Sequence, residues 1–204
     1  MQRITLSVLA CAAGLTGAAQ ASLLTNGSFE AGNTGFSSDY QYTTANVSPY
    51  VQQYGVTTSS FAWSNFWHNV AADHTTGAGQ FLIADGGPNA SAAIWRQTVS
   101  VSANTAMTLT GWLATWTSFP GTTVRVEVNG QTVANWVAPA SGTWTQYSAG
   151  WNSGNSTSAT IALYASVYYQ PGADVAIDDL VLVPGPGAAS LLGVIGVLVA
   201  RRRR

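Results

Sequence analysis

Between residues 22 and 183, apolar and polar positions alternate with a period of two, and helical spacing is hard to find. Over 93–101, Trp95, Gln97, Val99 and Val101 fall on one side, with Ile94, Arg96, Thr98 and Ser100 on the other. Over 107–116, Met107, Leu109, Gly111 and Leu113 share a face, while Thr108, Thr110, Trp112, Ala114 and Trp116 take the opposite one. Thr160 begins a third run, with Ile161, Leu163, Ala165 and Val167 set against Ala162, Tyr164, Ser166 and Tyr168. A last run covers 174–183. The sharpest local signal is Asn129-Gly130 between two valine-rich stretches. Both residues accept positive φ, so they predict a two-residue hairpin turn. That turn sets Val128 opposite Gln131, Val126 opposite Val133 and Arg125 opposite Ala134. Val124, Val126 and Val133 then face the core, and Arg125, Glu127 and Trp136 share the outer face. Short strands broken by Gly, Asn and Ser predict an all-β chain, an antiparallel β-sandwich, in one domain over 22–183.

The two ends follow another pattern. Arg3 precedes an uncharged Ala/Leu/Gly-rich run, and Ala19-Gln20-Ala21 offers small residues at cleavage positions. Residues 1–21 therefore predict a signal helix removed by signal peptidase. The single cysteine, Cys11, lies inside it, so the mature chain is expected to hold no disulfide. At the other end Pro184-Gly185-Pro186 leads into 187–200, a stretch without charge, and Arg201, Arg202, Arg203 and Arg204 close the chain. As a helix the apolar stretch spans about 21 Å, short of the ~30 Å hydrocarbon core. Arginine stems that reach the interface let it act as a transmembrane helix, with the arginines cytoplasmic.

Charge changes the picture of the middle. Lysine is absent, and outside the two ends only Arg96 and Arg125 remain against eight acids, a formal charge of −6. A domain of that sign lacks the positive field that nucleic acid requires. All eight tryptophans also lie there, which argues for a folded β domain rather than a disordered polar one.

The order Pro-x-Pro, apolar segment, arginine cluster over 184–204 resembles the PEP-CTERM sorting signal of exosortase substrates. Gly185 stands where that signal has Glu. The resemblance implies a transient inner-membrane anchor, cleavage by an exosortase and transfer to the cell surface or extracellular matrix. Leu23-Leu24-Thr25-Asn26-Gly27-Ser28-Phe29-Glu30, Trp95-Arg96-Gln97-Thr98-Val99-Ser100-Val101 and Ala176-Ile177-Asp178-Asp179-Leu180 resemble the opening, "Q-x-V-x-V" and closing "IDD" strands of jelly-roll carbohydrate-binding modules and related galactose-binding-like domains. That second resemblance implies a structural Ca²⁺ held by Glu30, by a carbonyl near Asn26 or Ser28, and by Asp178, an all-oxygen set suited to calcium.

Trp112, Trp116, Arg125 and Trp136 are the candidate ligand-binding residues, because flat rings stack on sugar faces while polar groups orient hydroxyls. Trp63, Trp67 and His68 form a second aromatic cluster, expected in a loop. No catalytic set stands out. His68, Asp73 and His74 match no zinc spacing, there is no Gly-x-Ser-x-Gly elbow, and nothing selects a glycosidase pair among the carboxylates. The expectation is an exported, non-catalytic surface or matrix protein whose partner is carbohydrate or exopolysaccharide. A structural, self-associating surface protein is the alternative, and a secreted glycoside hydrolase the third reading.

Overall fold

The computed structural model describes residues 20–67, 72–115, 122–139, 142–165 and 173–185. Residues 1–19 of the proposed signal segment, His68, Trp116, Ser166, Val167, Tyr168, Pro186 and Arg201–Arg204 lie outside them. Among the described residues, ten strands and one helical turn follow in order: β1 Gln41–Tyr42, β2 Gln53–Thr57, α1 Ser60–Trp63, β3 Phe81–Asp85, β4 Trp95–Ser100, β5 Ala106–Ala114, β6 Thr123–Val128, β7 Gln131–Val137, β8 Thr145–Asn152, β9 Ser158–Ala165 and β10 Val175–Pro184. They form a six-stranded sheet, β1-β2-β3-β10-β5-β8, and a four-stranded sheet, β4-β9-β6-β7. Only β1 and β2 run parallel among the described pairs. One large core lies between the sheets, with Leu109 and Leu113 from β5, Val124 and Val126 from β6, Ile161 and Leu163 from β9 and Ile177 and Leu182 from β10.

The period-two reading of β4, β5 and β9 holds. Met107, Leu109, Gly111 and Leu113 are buried on one face of β5, and Trp95, Gln97 and Val99 point inward from β4. Gln97 is a polar residue among apolar neighbours because its amide accepts from Thr25 N at 2.9 Å and donates to Thr25 O at 2.9 Å. It thereby ties the N-terminal segment to β4. That segment is not the regular opening strand suggested by the sequence. It turns repeatedly, with Asn26 and Phe29 at positive φ. It keeps two ladder-like bonds to β10, Leu23 N to Leu182 O and Leu180 N to Gly27 O. Gly27 allows this approach, since a Cβ there would lie 2.0 Å from Leu180 O.

The hairpin forms at Asn129-Gly130, with φ of 51° and 76°. Its register begins as predicted, Val128 against Gln131, and then slips: Val126 faces Ala134, Arg125 faces Asn135 and Val124 faces Trp136. A β-bulge has inserted one residue into β7. Parity inverts beyond it, so Trp136 turns into the core at 2% exposure rather than sharing the face of Arg125. β3 carried no alternation because both of its faces are covered. Leu82 and Ala84 enter the main core, while Phe81 and Ile83 enter a second cluster on the outside of the six-stranded sheet. β10 runs one residue past the predicted boundary: Pro184 pairs with Met107, and Gly185 N donates to Ala106 O at 2.7 Å. The first two residues of Pro-Gly-Pro thus belong to the sandwich.

Candidate functional site

The two outer faces offer different surfaces. The six-stranded sheet is covered by the segment that joins β2 to β3. Trp63 and Trp67 from that segment bury themselves against Phe81, Ile83, Ala114 and Ala176, with Trp144 packed beside them. Trp144 Nε1 donates to Ala72 O at 2.9 Å, and Trp63 Nε1 donates to Thr43 O at 3.1 Å. Trp112 does point to this face, as its place in the alternation requires. The His74 ring stacks directly on it, with centroids 3.6 Å apart and planes 19° apart. The indole face that a sugar would use is therefore occupied. The sequence could place Trp112 on the outer side but could not reveal that a loop returns over it.

Carboxylates hold this cover in place. Asp178 is fully buried and accepts from His74 N at 2.8 Å, Thr75 N at 3.3 Å and Asp179 N at 2.8 Å. Burial pushes its carboxyl up to about 7, while those N–H bonds pull the other way. Asp179 sits at a β10 bulge with φ of 47°, which turns its side chain to His74 Nδ1 at 2.7 Å. Thr75 donates its hydroxyl to the other Asp179 oxygen at 2.7 Å. Asp73 accepts from Thr76 N and Gly79 N, each at 2.6 Å. Burial works against its ionised form, but these N–H groups hold its carboxyl below the usual range. Glu30 accepts from Gln80 N at 3.3 Å, and a Cβ at Gly79 would lie 2.0 Å from Glu30 Oε1, so a side chain there would push the carboxyl from its place.

Glu30 and Asp178, the residues expected to hold calcium, thus grip opposite ends of the same loop, 73–80. Among the described residues no three His, Cys, Asp or Glu side chains form a group able to hold a metal ion. A calcium ion between the two ends would take most of its oxygens from backbone carbonyls and water, a donor set compatible with this ion.

Among the described residues, the four-stranded sheet is not covered by a second layer on its outside. Arg96 and Thr98 of β4, Thr160, Ala162 and Tyr164 of β9, Arg125 and Glu127 of β6 and Asn135 of β7 lie on one surface. Arg125 and Tyr164 are cross-strand partners, and the guanidinium carbon stands 4.5 Å from the ring centroid. Its Nε is 2.8 Å from Glu127 Oε1, and one terminal nitrogen donates to Ala90 O at 3.2 Å. Arg96 donates to both oxygens of Asp39, at 3.2 and 2.8 Å. The guanidinium beside Asp39 holds that carboxyl below its usual range, and the hydrogen bonds that Arg96 donates to Asp39, with Tyr164 nearby, raise Arg96. Thr98 and Thr160 add a hydroxyl pair, 2.8 Å apart. Beside them runs an open groove of about 410 Å³ lined by Gly35, Phe36, Ser37, Arg96, Gln97 and Thr98. Of the four predicted ligand residues, Arg125 alone is shown on this face. Arg96 and Asp39 were missed as its companions, although Arg96 falls on the outward side of the alternating run.

No protein-family model matches the sequence, and no curated protein matches it. The fold is similar to several solved structures. The CBM22-1 xylan-binding domain of Xyn10C from Paenibacillus barcinonensis shares 16% identity, with 82% of this chain and 97% of that one covered, at a TM-score of 0.51. The Stig cyclase Fisc from Fischerella sp. TAU shares 14%, covering 82% and 98%, at 0.53. The enzymatically active domain of tailspike protein 4 from bacteriophage CBA120 shares 16%, covering 80% of this chain but only 21% of that one, at 0.50. At these identities the likeness is one of fold: a β-sandwich of the kind found in carbohydrate-binding modules, and one that also occurs in enzymes.

Proposed function

We propose that this protein is an exported, non-catalytic β-sandwich module that binds carbohydrate at the cell surface or in the extracellular matrix. The observation that carries the reading is the open face of the four-stranded sheet. There a tyrosine ring lies against the Arg125 guanidinium, with Arg96 on the neighbouring strand, beside threonine hydroxyls and an asparagine. Such a surface supplies one stacking ring and both donors and acceptors, the elements that orient a sugar ring. The xylan-binding neighbour supports the reading by showing that this sandwich can serve a polysaccharide. Binding of the full chain to an array of exopolysaccharide fragments tests it. Arg125→Ala and Tyr164→Ala are each expected to weaken the best hit by roughly tenfold, the equivalent of about 1.4 kcal/mol. Unchanged binding in both variants rules out this face.

The route outward belongs to the same proposal. Signal peptidase removes residues 1–21, the apolar tail halts in the inner membrane, and an exosortase acts at Pro184-Gly185-Pro186. The mass of the protein from its native cell reads both ends at once, and an intact tail refutes the last step. Calcium is proposed as a clamp across loop 73–80 through Glu30 and Asp178. A rise in melting temperature with calcium, absent in Glu30→Gln and in Asp178→Asn, is the expected result.

A further inference from the structure

A second set of groups converges at the end of the six-stranded sheet, away from the open face. Asp85 ends β3, and Asp174 lies opposite it just before β10, given that Val175 pairs with Ala84. Burial first, and then the neighbouring Asp85 carboxyl, push Asp174 well above the usual carboxylate range. Asn46 Nδ2 donates to Asp85 Oδ2 at 2.6 Å, which leaves Asn46 Oδ1 buried with no partner. A buried carbonyl oxygen without a donor costs free energy unless something donates to it. Tyr40, pushed up to about 12 by burial and by Asp85, closes the inner side.

The chain is built to bring these groups together. Gly86 and Gly87 follow β3, and a Cβ on either would collide, at 2.5 Å with Ala173 and at 2.1 Å with Gln52. Their absence of side chains lets the segment before β10 and the loop 46–53 press against β3 from two sides. Gln53 locks that loop, accepting from Val47 N at 3.0 Å and donating to Val47 O at 2.6 Å. The same loop presents apolar surface outward. Tyr50 sits at φ of 59°, a costly conformation for a bulky residue, and its ring meets Phe66 edge-on at 5.5 Å. Tyr50 is 43% exposed and Phe66 63%. Asn46 N bonds Trp63 O at 2.7 Å, so the segment carrying Phe66 touches the loop at its polar and aromatic ends alike.

We infer that this end of the sandwich is a binding site for a neutral sugar, whose ring lies against Tyr50 and Phe66 while its hydroxyls donate to the Asp85 and Asp174 carboxyls. The inference rests on the carbohydrate reading above and adds a location and a selectivity. Exposed rings beside carboxyl acceptors suit a polyol, which has both apolar CH faces and O–H donors. The carboxyl pair, in a domain of net charge −6, repels uronate and sulfated chains.

Calorimetry with the full chain tests this with neutral xylan- and galactan-derived oligosaccharides and with galacturonate oligomers of matched length. The double variant Tyr50→Asn, Phe66→Ala, made in an Arg125→Ala background so that the open face does not answer for it, is expected to lose the remaining neutral-sugar affinity at least tenfold with an unchanged melting temperature, both rings being exposed. Asp85→Asn combined with Asp174→Asn, which removes the pair's charge whichever carboxyl holds the proton, is expected to gain galacturonate binding at least fivefold. Retention of neutral-sugar affinity by the double variant overturns the site and leaves the carbohydrate reading standing. Equal binding of galacturonate and neutral oligomers by the wild type overturns the selectivity. Binding of none of these sugars by the wild type overturns the site and the carbohydrate reading together.

Discussion

On the six-stranded sheet, Phe81, Ile83, Ala114 and Ala176 point away from the core, and a loop bearing Trp63, Trp67 and His74 returns to bury them. On the four-stranded sheet the outward residues are Arg96, Thr98, Thr160, Tyr164, Arg125 and Glu127, and they stay half-buried or exposed. Both sheets obey the same period of two. What separates them is what stands on the second face: apolar residues recruit a cover, while paired charges and hydroxyls do without one. The tryptophans follow the first rule. Trp63, Trp67 and Trp136 are buried and Trp112 is capped by an imidazole, so the open face presents arginine and tyrosine instead. For these four tryptophans of the described residues, the aromatic signal in the sequence marks packing.

Removing a buried indole is the strongest way to break that contrast. Trp136 fills the core between β7 and β8, stacks on Tyr147 with centroids 6.0 Å apart and donates Nε1 to Ser148 O at 3.3 Å. Trp136→Ala is expected to cost about 3–5 kcal/mol in urea unfolding, as large aromatic truncations in cores do. A loss below about 1 kcal/mol would return Trp136 to the surface role that its uncorrected register implied.

The hairpin shows how far the sequence carries. Asn129-Gly130 specifies the turn and the first pair, because positive φ at two successive residues is a local requirement. The bulge that follows has no such signature. Thr132-Val133-Ala134 reads as an unbroken strand, and only the gain from burying Trp136 opposite Val124 selects the slipped register. β5 was legible because one of its faces is wholly apolar, and β3 was not because both are. Glu30 and Asp178 were legible as partners of the first and last strands. That they act on a third segment, 73–80, depends on backbone N–H groups, which no side-chain pattern reports.

The pH dependence sharpens the covered side. With a folded carboxyl near 7 and an unfolded one near its ordinary value, Asp178 keeps its proton between about pH 4 and 7 while the unfolded chain has lost it. Stability then falls as pH rises through that window and levels off above it, by about 2 kcal/mol at most after solvent access is discounted. Melting temperatures in chelator across pH 4.5–8 should show this slope, and Asp178→Asn should flatten it. A stability that rises with pH over the same window contradicts the assignment. Added calcium at the proposed clamp favours the ionised form and should also flatten the curve.

A smaller effect is expected at His74. Its stack on Trp112 and its bond to Asp179 together close the cover, and His74→Ala should cost about 1 kcal/mol. Tryptophan emission should shift to the red as Trp112 meets water. A variant with unchanged emission would mean that the backbone bonds to Asp178 hold the loop without the ring.

The open face should give the smallest change in stability. Arg125 lies against Glu127 and Tyr164, but a partly exposed ion pair contributes only about 0–1 kcal/mol. Arg125→Ala is therefore expected to leave urea unfolding within about 1 kcal/mol of the wild type, while weakening glycan binding. The two readouts must separate for the comparison to stand. If stability falls as far as it does in Trp136→Ala, the guanidinium is a structural pillar of the four-stranded sheet. If binding alone falls, its pairing with Tyr164 is a surface kept open for a ligand, and the uncovered state of this face has a function of its own.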